Sequence, residues 1–194
     1  MNYRRFLRNL LLAFVPVVVV WLVLTPLYDR FLIRATENAV RLIESPDQTT
    51  LKPHETHYAL IYRGDLRGQT STGHVYSLRV TDIHFPVLLL AAMFLAVPGV
   101  ALRERAIRLA WALLFSVFFH LLSMVFWVQF AYATQLGNWS MENYSALGRN
   151  FWGLGKHLLD LPFKFAWPLV LWFAFFGSRL LTRRGEDESQ ADRA

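Results

Sequence analysis

Four long apolar stretches with almost no charged side chain constrain the fold of this chain more than its average composition does. A helix needs about 18 or more apolar residues to cross roughly 30 Å of hydrocarbon. The four stretches are residues 9–28, 85–102, 109–134 and 161–181. We therefore predict a mainly α fold, in which residues 1–194 form a single integral membrane domain built on a bundle of four transmembrane helices.

The distribution of arginine predicts how these helices are oriented. Residues 1–8, 103–108 and 179–194 hold ten of the twenty basic residues and five of the fourteen acidic ones. Basic residues in short segments tend to stay on the cytoplasmic side. This places both termini in the cytoplasm of a bacterial cell, at the inner membrane, and residues 29–84 and 135–160 outside it. The positive charge then faces anionic lipid, so that a pI near 10.0 does not indicate a nucleic-acid partner.

The chain contains no cysteine. Disulfides cannot brace the two outer loops, and thiol nucleophiles, thiolate metal sites and iron–sulfur clusters are excluded. The sequence also has no glycine-rich phosphate loop, zinc-protease helix motif or nucleophile elbow. We predict no catalytic residue, no cofactor and no metal site, and expect a protein that is not an enzyme.

Helical periodicity continues beyond the first apolar stretch, over residues 29–45, until Pro46 stops it. One face of this segment carries charged side chains, namely Arg30, Arg34, Glu37, Arg41 and Glu44. The opposite face carries apolar ones, namely Leu32, Ala35, Ala39, Leu42 and Ile43. We predict an amphipathic helix whose charged face is either solvated or, through Arg34, Glu37 and Arg41, in contact with a partner.

The remaining outer segments predict a small periplasmic α+β cap on the bundle. Residues 56–63 and 74–82 are rich in β-branched and aromatic side chains and flank a run of turn residues, which indicates a short β-hairpin with room for a third strand. Residues 141–160 can form a second amphipathic helix. The polar segment 182–194 is predicted to be a disordered cytoplasmic tail.

His120 is the ionisable residue near the middle of the third apolar stretch. An ionisable group is expensive at membrane depth, and such groups are often functional. Ser116 and Ser123 on its own helix are candidate hydrogen-bond partners, and Gln129 can bond across helices. His120 is either a hydrogen-bonded packing contact or a proton relay or partner contact.

The first outer loop contains four further histidines, His54, His57, His74 and His84. Residues three apart in an extended segment point to opposite sides, so His54 and His57 are not expected to share a metal.

Small residues follow one side of the second apolar stretch, at Ala92, Ala96 and Gly99. Small residues let helices approach closely. The neighbouring helix belongs either to this chain or to a partner protein.

Three short segments carry a resemblance to a known family. They are the run from Phe14 through Pro16 to Trp21, the exit from the first stretch at Tyr28 and Leu32, and residues 84–90 entering the second stretch. With these segments the chain resembles the exosortase H-associated membrane proteins over most of its length. That resemblance implies an accessory role beside an exosortase, a membrane enzyme that processes C-terminal sorting signals. Exosortases resemble sortases in using a cysteine nucleophile, so the chain itself is not that enzyme.

The expected function is thus a non-catalytic accessory protein of a sorting or processing system at the cell envelope. Its expected partners are membrane lipid and an exosortase-like membrane enzyme. Two other classes remain open. A membrane enzyme would use His120, or a loop histidine with Asp65 or Asp82, for acid–base chemistry. A transporter subunit would need a polar path lined by His120 and Gln129.

Overall fold

The computed structural model describes residues 3–44, 48–55, 57–66 and 73–191, and this part of the chain is mainly helical. Its helices are α1 (Tyr3–Ile43), α2 (Thr81–His84), α3 (Val87–Ala96), α4 (Leu102–Thr134), α5 (Asn138–Asn143), α6 (Ala146–Leu158) and α7 (Lys164–Ala191). Its strands are β1 (Thr49–His54), β2 (Tyr58–Arg63) and β3 (His74–Arg79). A 3-10 turn follows β2 at Gly64–Leu66, and a π-helical turn at Leu159–Phe163 connects α6 to α7.

The strands form one antiparallel sheet in the order β1-β2-β3. The predicted hairpin is present as β2 and β3, with Tyr58 opposite Arg79. The third strand, β1, pairs with the other side of β2, with Leu51 opposite Ile61. The sequence left room for a third strand without placing it. β1 is an edge strand and contains Pro53, a residue that is tolerated at a sheet edge.

The chain divides into two compact units. The first, here called the apolar unit, comprises Met1–Trp21, Pro86–Ser116 and Phe165–Ala194. The second, the sheet unit, comprises Leu22–Phe85 and Val117–Lys164. The core of the apolar unit is built from α3, α4 and α7 side chains, among them Phe94, Trp172 and Phe176. In the sheet unit, one face of the sheet packs against side chains of α1 and α4.

Three helical runs of the described chain are long and apolar enough to cross a membrane: Arg4–Ile43, Leu102–Thr134 and Ala146–Ser178. They contain the first and third predicted spans and most of the fourth. The second predicted span, residues 85–102, is not a helix of that length, which corrects the expectation of four long helices. Its apolar helical run covers Thr81–Ala96.

The second span ends early because of Pro98 and Gly99. Val97 has an extended backbone, with φ −60° and ψ 115°, because a residue that precedes proline is disfavoured in the helical region. Gly99 has φ +73°, which reverses the chain before α4 begins. Arg105 then donates to the carbonyl of Leu95 at 2.5 Å and to that of Val100 at 2.8 Å. A guanidinium thus satisfies carbonyls that the ended helix leaves open.

Helix α4 distributes its side chains in the opposite way to a helix in water. Ser116, His120 and Ser123 are buried, whereas Phe118 and Leu122 are exposed. Large exposed apolar side chains occur on α4 from Leu102 to Leu122 and not between 123 and 134. Its last three turns pack in the core of the sheet unit instead. Exposed apolar and buried polar side chains on one helix are typical of a segment solvated by lipid.

The outer part of α1 buries only part of the predicted apolar face. Leu32 is in the core and Ala39 packs against it, whereas Leu42 is 89% and Ile43 60% exposed. On the charged face, Arg30 and Arg34 are exposed as expected. Glu37, Arg41 and Glu44 are not simply solvated, because each bonds to β1. Pro46, the expected stop of this helix, lies outside the described residues.

Two further boundaries differ from the prediction. The expected helix 141–160 is interrupted at Tyr144, which has φ −126° and ψ 129°. Ser145 then caps α6 by accepting a hydrogen bond from the Gly148 amide. At the other end, α7 runs to Ala191, through most of the segment expected to be a disordered tail. Arg, Glu and Gln form helices readily without an apolar face. Residues 192–194 lie outside the described part.

Replacing Gly99 by Ala should destabilise the protein by about 1 kcal/mol, because a Cβ is disfavoured in the left-handed region. The site is otherwise open, with nothing within 4 Å of a Cβ placed at this position. Gly177→Ala is the matched control, since Gly177 is helical and its nearest contact would be an ordinary 3.9 Å to Phe173. Thermal unfolding in detergent measures both. Equal melting temperatures for the two variants would contradict this account of the turn.

Candidate functional site

Asp29 is the centre of a buried polar cluster in the sheet unit. Its two carboxylate oxygens lie 2.8 Å from His57 Nδ1 and 2.7 Å from His84 Nε2. An ionised carboxylate only accepts, so each imidazole donates its N–H. Asp29 and His84 are almost fully buried, whereas the His57 side chain is 31% exposed. We call Asp29, His57 and His84 the histidine cluster.

The chain holds His57 firmly in an unusual conformation. Its φ is +84°, a region that residues other than glycine rarely occupy. Its carbonyl accepts the Val80 amide at 2.8 Å, while its side chain is bonded to Asp29. With Nδ1–H donated, Nε2 carries the lone pair, so the ring can act as a base at a partly exposed position. Sequence reasoning missed this cluster. The one signal that could have indicated it is the position of Asp29, directly after the first apolar stretch.

A second contact adjoins the histidine cluster. Tyr28 Oη and His120 Nδ1 lie 2.8 Å apart, and the Tyr28 ring meets the His84 ring edge-on at 5.0 Å. Ser116 and Ser123, which were candidate partners of His120, donate instead to carbonyls of their own helix. His120 is 2% exposed. Its bonded partner, Tyr28, lies on α1 of the same chain.

The other loop histidines are placed elsewhere. His54 lies 3.7 Å from Glu55, and His74 Nε2 is 3.2 Å from Ser77 Oγ. No group of three or more His, Cys, Asp or Glu side chains in the described residues has the geometry to hold a metal ion.

Asp65 and Asp82, the acids considered for acid–base chemistry with a loop histidine, each have an arginine beside them. Asp65 is bonded to Arg63, and Asp82 lies 3.6 Å from Arg79.

Arg63 and Glu44 form a second polar cluster, here called the arginine cluster. Arg63 Nη1 donates to Glu44 at 3.0 Å, and its Nε donates to both oxygens of Asp65. The guanidinium carbon also lies 4.7 Å from the centre of the Tyr132 ring and 4.6 Å from that of Trp139. Cations over aromatic faces are stabilised electrostatically, more so when they are desolvated.

Glu44 receives further hydrogen bonds from other elements. Gln129 Nε2 of α4 donates to it at 2.9 Å and Thr49 Oγ at 3.0 Å. The Tyr144 hydroxyl lies 3.4 Å from Glu44 and 3.0 Å from the Gln129 oxygen. Gln129, which the sequence analysis gave as able to bond across helices, is bonded instead to residues that lie just outside helices. Its partner, Glu44, directly follows α1.

Two pKa shifts describe the electrostatics of the arginine cluster. Burial alone would lower the pKa of Arg63, but the carboxylates of Glu44 and Asp65 outweigh it and the pKa is raised. The pKa of Tyr144 is raised well above its usual value, first by burial and then by the charge of Glu44. Arg63 therefore stays charged and Tyr144 stays a hydroxyl donor at physiological pH.

Among the predicted partner contacts, Glu37 and Arg41 are bonded within the chain. Glu37 accepts the Leu51 amide at 2.9 Å and pairs with Arg41 at 2.7 Å. Arg41 also donates to the Thr49 carbonyl. Both residues thus attach β1 to α1. Arg34 is exposed, and its contact with a partner stays a prediction.

The small-residue strip of the second stretch is mostly covered by the chain itself. Ala92 and Ala96 are fully buried, and Asn9 Nδ2 of α1 donates to the Ala96 carbonyl at 3.3 Å. Gly99 is exposed at the turn before α4. The neighbouring helix could belong to this chain or to a partner protein, and the structure shows that α1 of this chain is one neighbour.

Comparison of the chain with family models, curated proteins and solved structures finds no match. The two clusters are therefore interpreted from their own geometry.

Removing the positive charge of Arg63 from the arginine cluster should lower the free energy of unfolding far more than removing an exposed positive charge. Arg63→Met leaves Glu44, whose side chain is 12% exposed, without its cation and is expected to destabilise the protein by about 3 kcal/mol. Arg79→Met is the control, because its pair with Asp82 is more than half exposed and is worth at most about 1 kcal/mol. Chemical denaturation in detergent measures both. Similar losses would show that the cluster does not stabilise the sheet unit.

Proposed function

We propose that this chain is a bacterial inner-membrane protein that crosses the membrane four times, with both termini in the cytoplasm. Three long apolar helices support this topology, together with the arginines placed at one side by the sequence. The exposed apolar and buried polar side chains of α4 support lipid as the solvent. The remaining crossing, second along the chain, is the short run Thr81–Ala96.

That short run has two contacts that support a crossing. At its start, His84 is bonded to Asp29, and at its end the Ala96 carbonyl is bonded to Asn9. Asn9 and Asp29 lie at opposite ends of the apolar stretch of α1. Sixteen helical residues extend about 24 Å, and a bilayer can thin locally around a short span at modest cost.

Single-cysteine labelling tests the topology, because the chain has no native cysteine. With a membrane-impermeant maleimide on spheroplasts, Asn38→Cys and Glu142→Cys should be labelled, whereas Ala101→Cys should be labelled only after lysis. All three positions are exposed. If residues 85–102 do not cross, the labelling of Ala101→Cys and Glu142→Cys will be exchanged.

Within the membrane system we propose a non-catalytic accessory role, with an exosortase-type enzyme as the partner. One observation carries this proposal. The sheet unit turns much of its charge inwards, towards Asp29 and Glu44, and presents apolar side chains outwards on α6. Leu147 is 80%, Phe151 56% and Leu154 64% exposed. In the proposed topology α6 belongs to the outer loop 135–160 and not to a crossing, and clustered exposed apolar side chains outside the hydrocarbon mark contact surfaces. The resemblance drawn from the sequence supplies the kind of partner.

Co-purification of the tagged chain with an exosortase-type enzyme in mild detergent tests this role. Leu147→Asp and Arg34→Glu should each reduce the recovered enzyme several-fold, because they alter the charge of the predicted contact surface. Leu42→Asp is the matched control, since Leu42 is at least as exposed as Leu147 but lies at the far end of α1. Recovery that is the same for all variants, or absent with the wild-type chain, would refute the accessory role.

A membrane enzyme is the second candidate, and the histidine cluster is the observation that favours it. A carboxylate that orients an imidazole on a partly exposed side chain is an arrangement suited to general base catalysis. A strained backbone at such a residue is common at active sites. Loss of cellular function in a His57→Gln variant that folds and co-purifies normally would favour this candidate over the accessory role.

A further inference from the structure

A cleft of about 670 Å³ lies between the outer end of α4 and the helices α5 and α6. All of its lining residues fall between Ala133 and His157. Gly137 and Gly153 are among them and contribute no side chain. The volume falls in the range of clefts that bind small ligands and short peptides, about 300–1,000 Å³.

The walls of the cleft are largely apolar. Met141 and Leu154 line it and are 69% and 64% exposed. Both belong to the sheet unit, and large apolar side chains left open to solvent mark binding surfaces. Methionine adapts its shape to different ligands because it is unbranched and polarisable. The walls therefore suit an apolar ligand without demanding one exact shape.

The ionisable groups of the cleft are all basic. Arg149 and His157 line it, and none of its ten lining residues is acidic. Arg149 uses one donor to bond the Tyr144 carbonyl at 2.6 Å, and a guanidinium has five. His157 Nδ1 donates to the Gly153 carbonyl at 2.6 Å, which leaves the lone pair of Nε2 to accept an N–H from a ligand. An anionic group on the ligand would complement Arg149.

An uncharged amide decides between two kinds of apolar anion. Asn150 lines the cleft as well, and its side-chain amide can pair with peptide groups of a ligand. A fatty-acyl chain offers nothing to bond with this amide and would leave it desolvated. A peptide satisfies the apolar walls, the amide and the basic groups together.

We propose that this cleft binds an apolar peptide segment that ends in a free carboxylate. The carboxylate lies at Arg149, a peptide N–H donates to His157, and the side chains lie against Met141 and Leu154. This rests on the proposed accessory role and extends it, since it gives the outer side of the protein a site for a peptide substrate. It does not depend on the identity of the partner enzyme.

Fluorescence anisotropy with the full chain in detergent tests the site. The probe is an amino-terminally fluorescein-labelled pentapeptide, Leu-Ala-Phe-Leu-Val, with a free carboxylate. Its amidated form should bind at least about fivefold more weakly, because it loses a charge-assisted hydrogen bond. Arg149→Gln, which keeps a donor for the Tyr144 carbonyl but removes the charge, should reduce affinity by a similar factor and abolish the preference for the carboxylate.

Two leucines of α6 provide matched variants for the apolar walls. Leu154→Asp should lower affinity about tenfold, since it places a charge against the apolar ligand. Leu147 is more exposed but lies outside the cleft, so Leu147→Asp should bind the peptide as the wild type does. Leu147→Asp is also the variant expected to lose the partner enzyme, so the two proposals fail separately. Equal binding of the carboxylate and amide peptides, equal effects of the two leucine variants, or displacement by palmitate at lower concentration than by unlabelled peptide would each overturn the proposal.

Discussion

The ion pair between Glu44 and Arg63 joins most elements of the sheet unit. Glu44 follows α1, and Arg63 ends β2, while Gln129 and Tyr132 contact the pair from α4 and Trp139 does so from α5. Both charges are largely removed from water, which is tolerable only because each is also hydrogen-bonded or stacked. Without the pair, α1 and the sheet would each contribute an unpaired charge to the same interface.

Helix α1 belongs to both units of the chain. Before Asp29 it exposes large apolar side chains from Leu7 to Leu27, and from Asp29 onward it carries Asp29, Glu37 and Arg41 into contacts of the sheet unit. A side chain that would be solvated on an isolated helix is here a bonding partner of a strand. The contacts of Glu37 and Arg41 are therefore structural, and the proposed partner contact is at the exposed apolar face of α6.

The two histidines bonded to Asp29 illustrate why sequence reasoning could not assemble the candidate site. His57 and His84 lie 28 and 55 residues from Asp29 along the chain, and none of the three belongs to a short motif. His57 also occupies a backbone conformation that its residue type does not predict. Only the path of β2, whose first residue follows His57, and the position of α2 bring the rings to one carboxylate.

By itself the sequence determined the apolar stretches, the charged stripe after the first of them, the hairpin of β2 and β3 and the lack of thiol chemistry. These follow from local periodicity and residue type, which do not depend on distant neighbours. The tertiary structure decided that Pro98 and Gly99 end a helix instead of bending it, that Glu37, Arg41 and Glu44 of the stripe bond to the sheet, and that Arg63 pairs with Glu44. Each of these depends on which distant groups can satisfy a charge or a carbonyl once water is removed, and that is set by packing and not by neighbours in the chain.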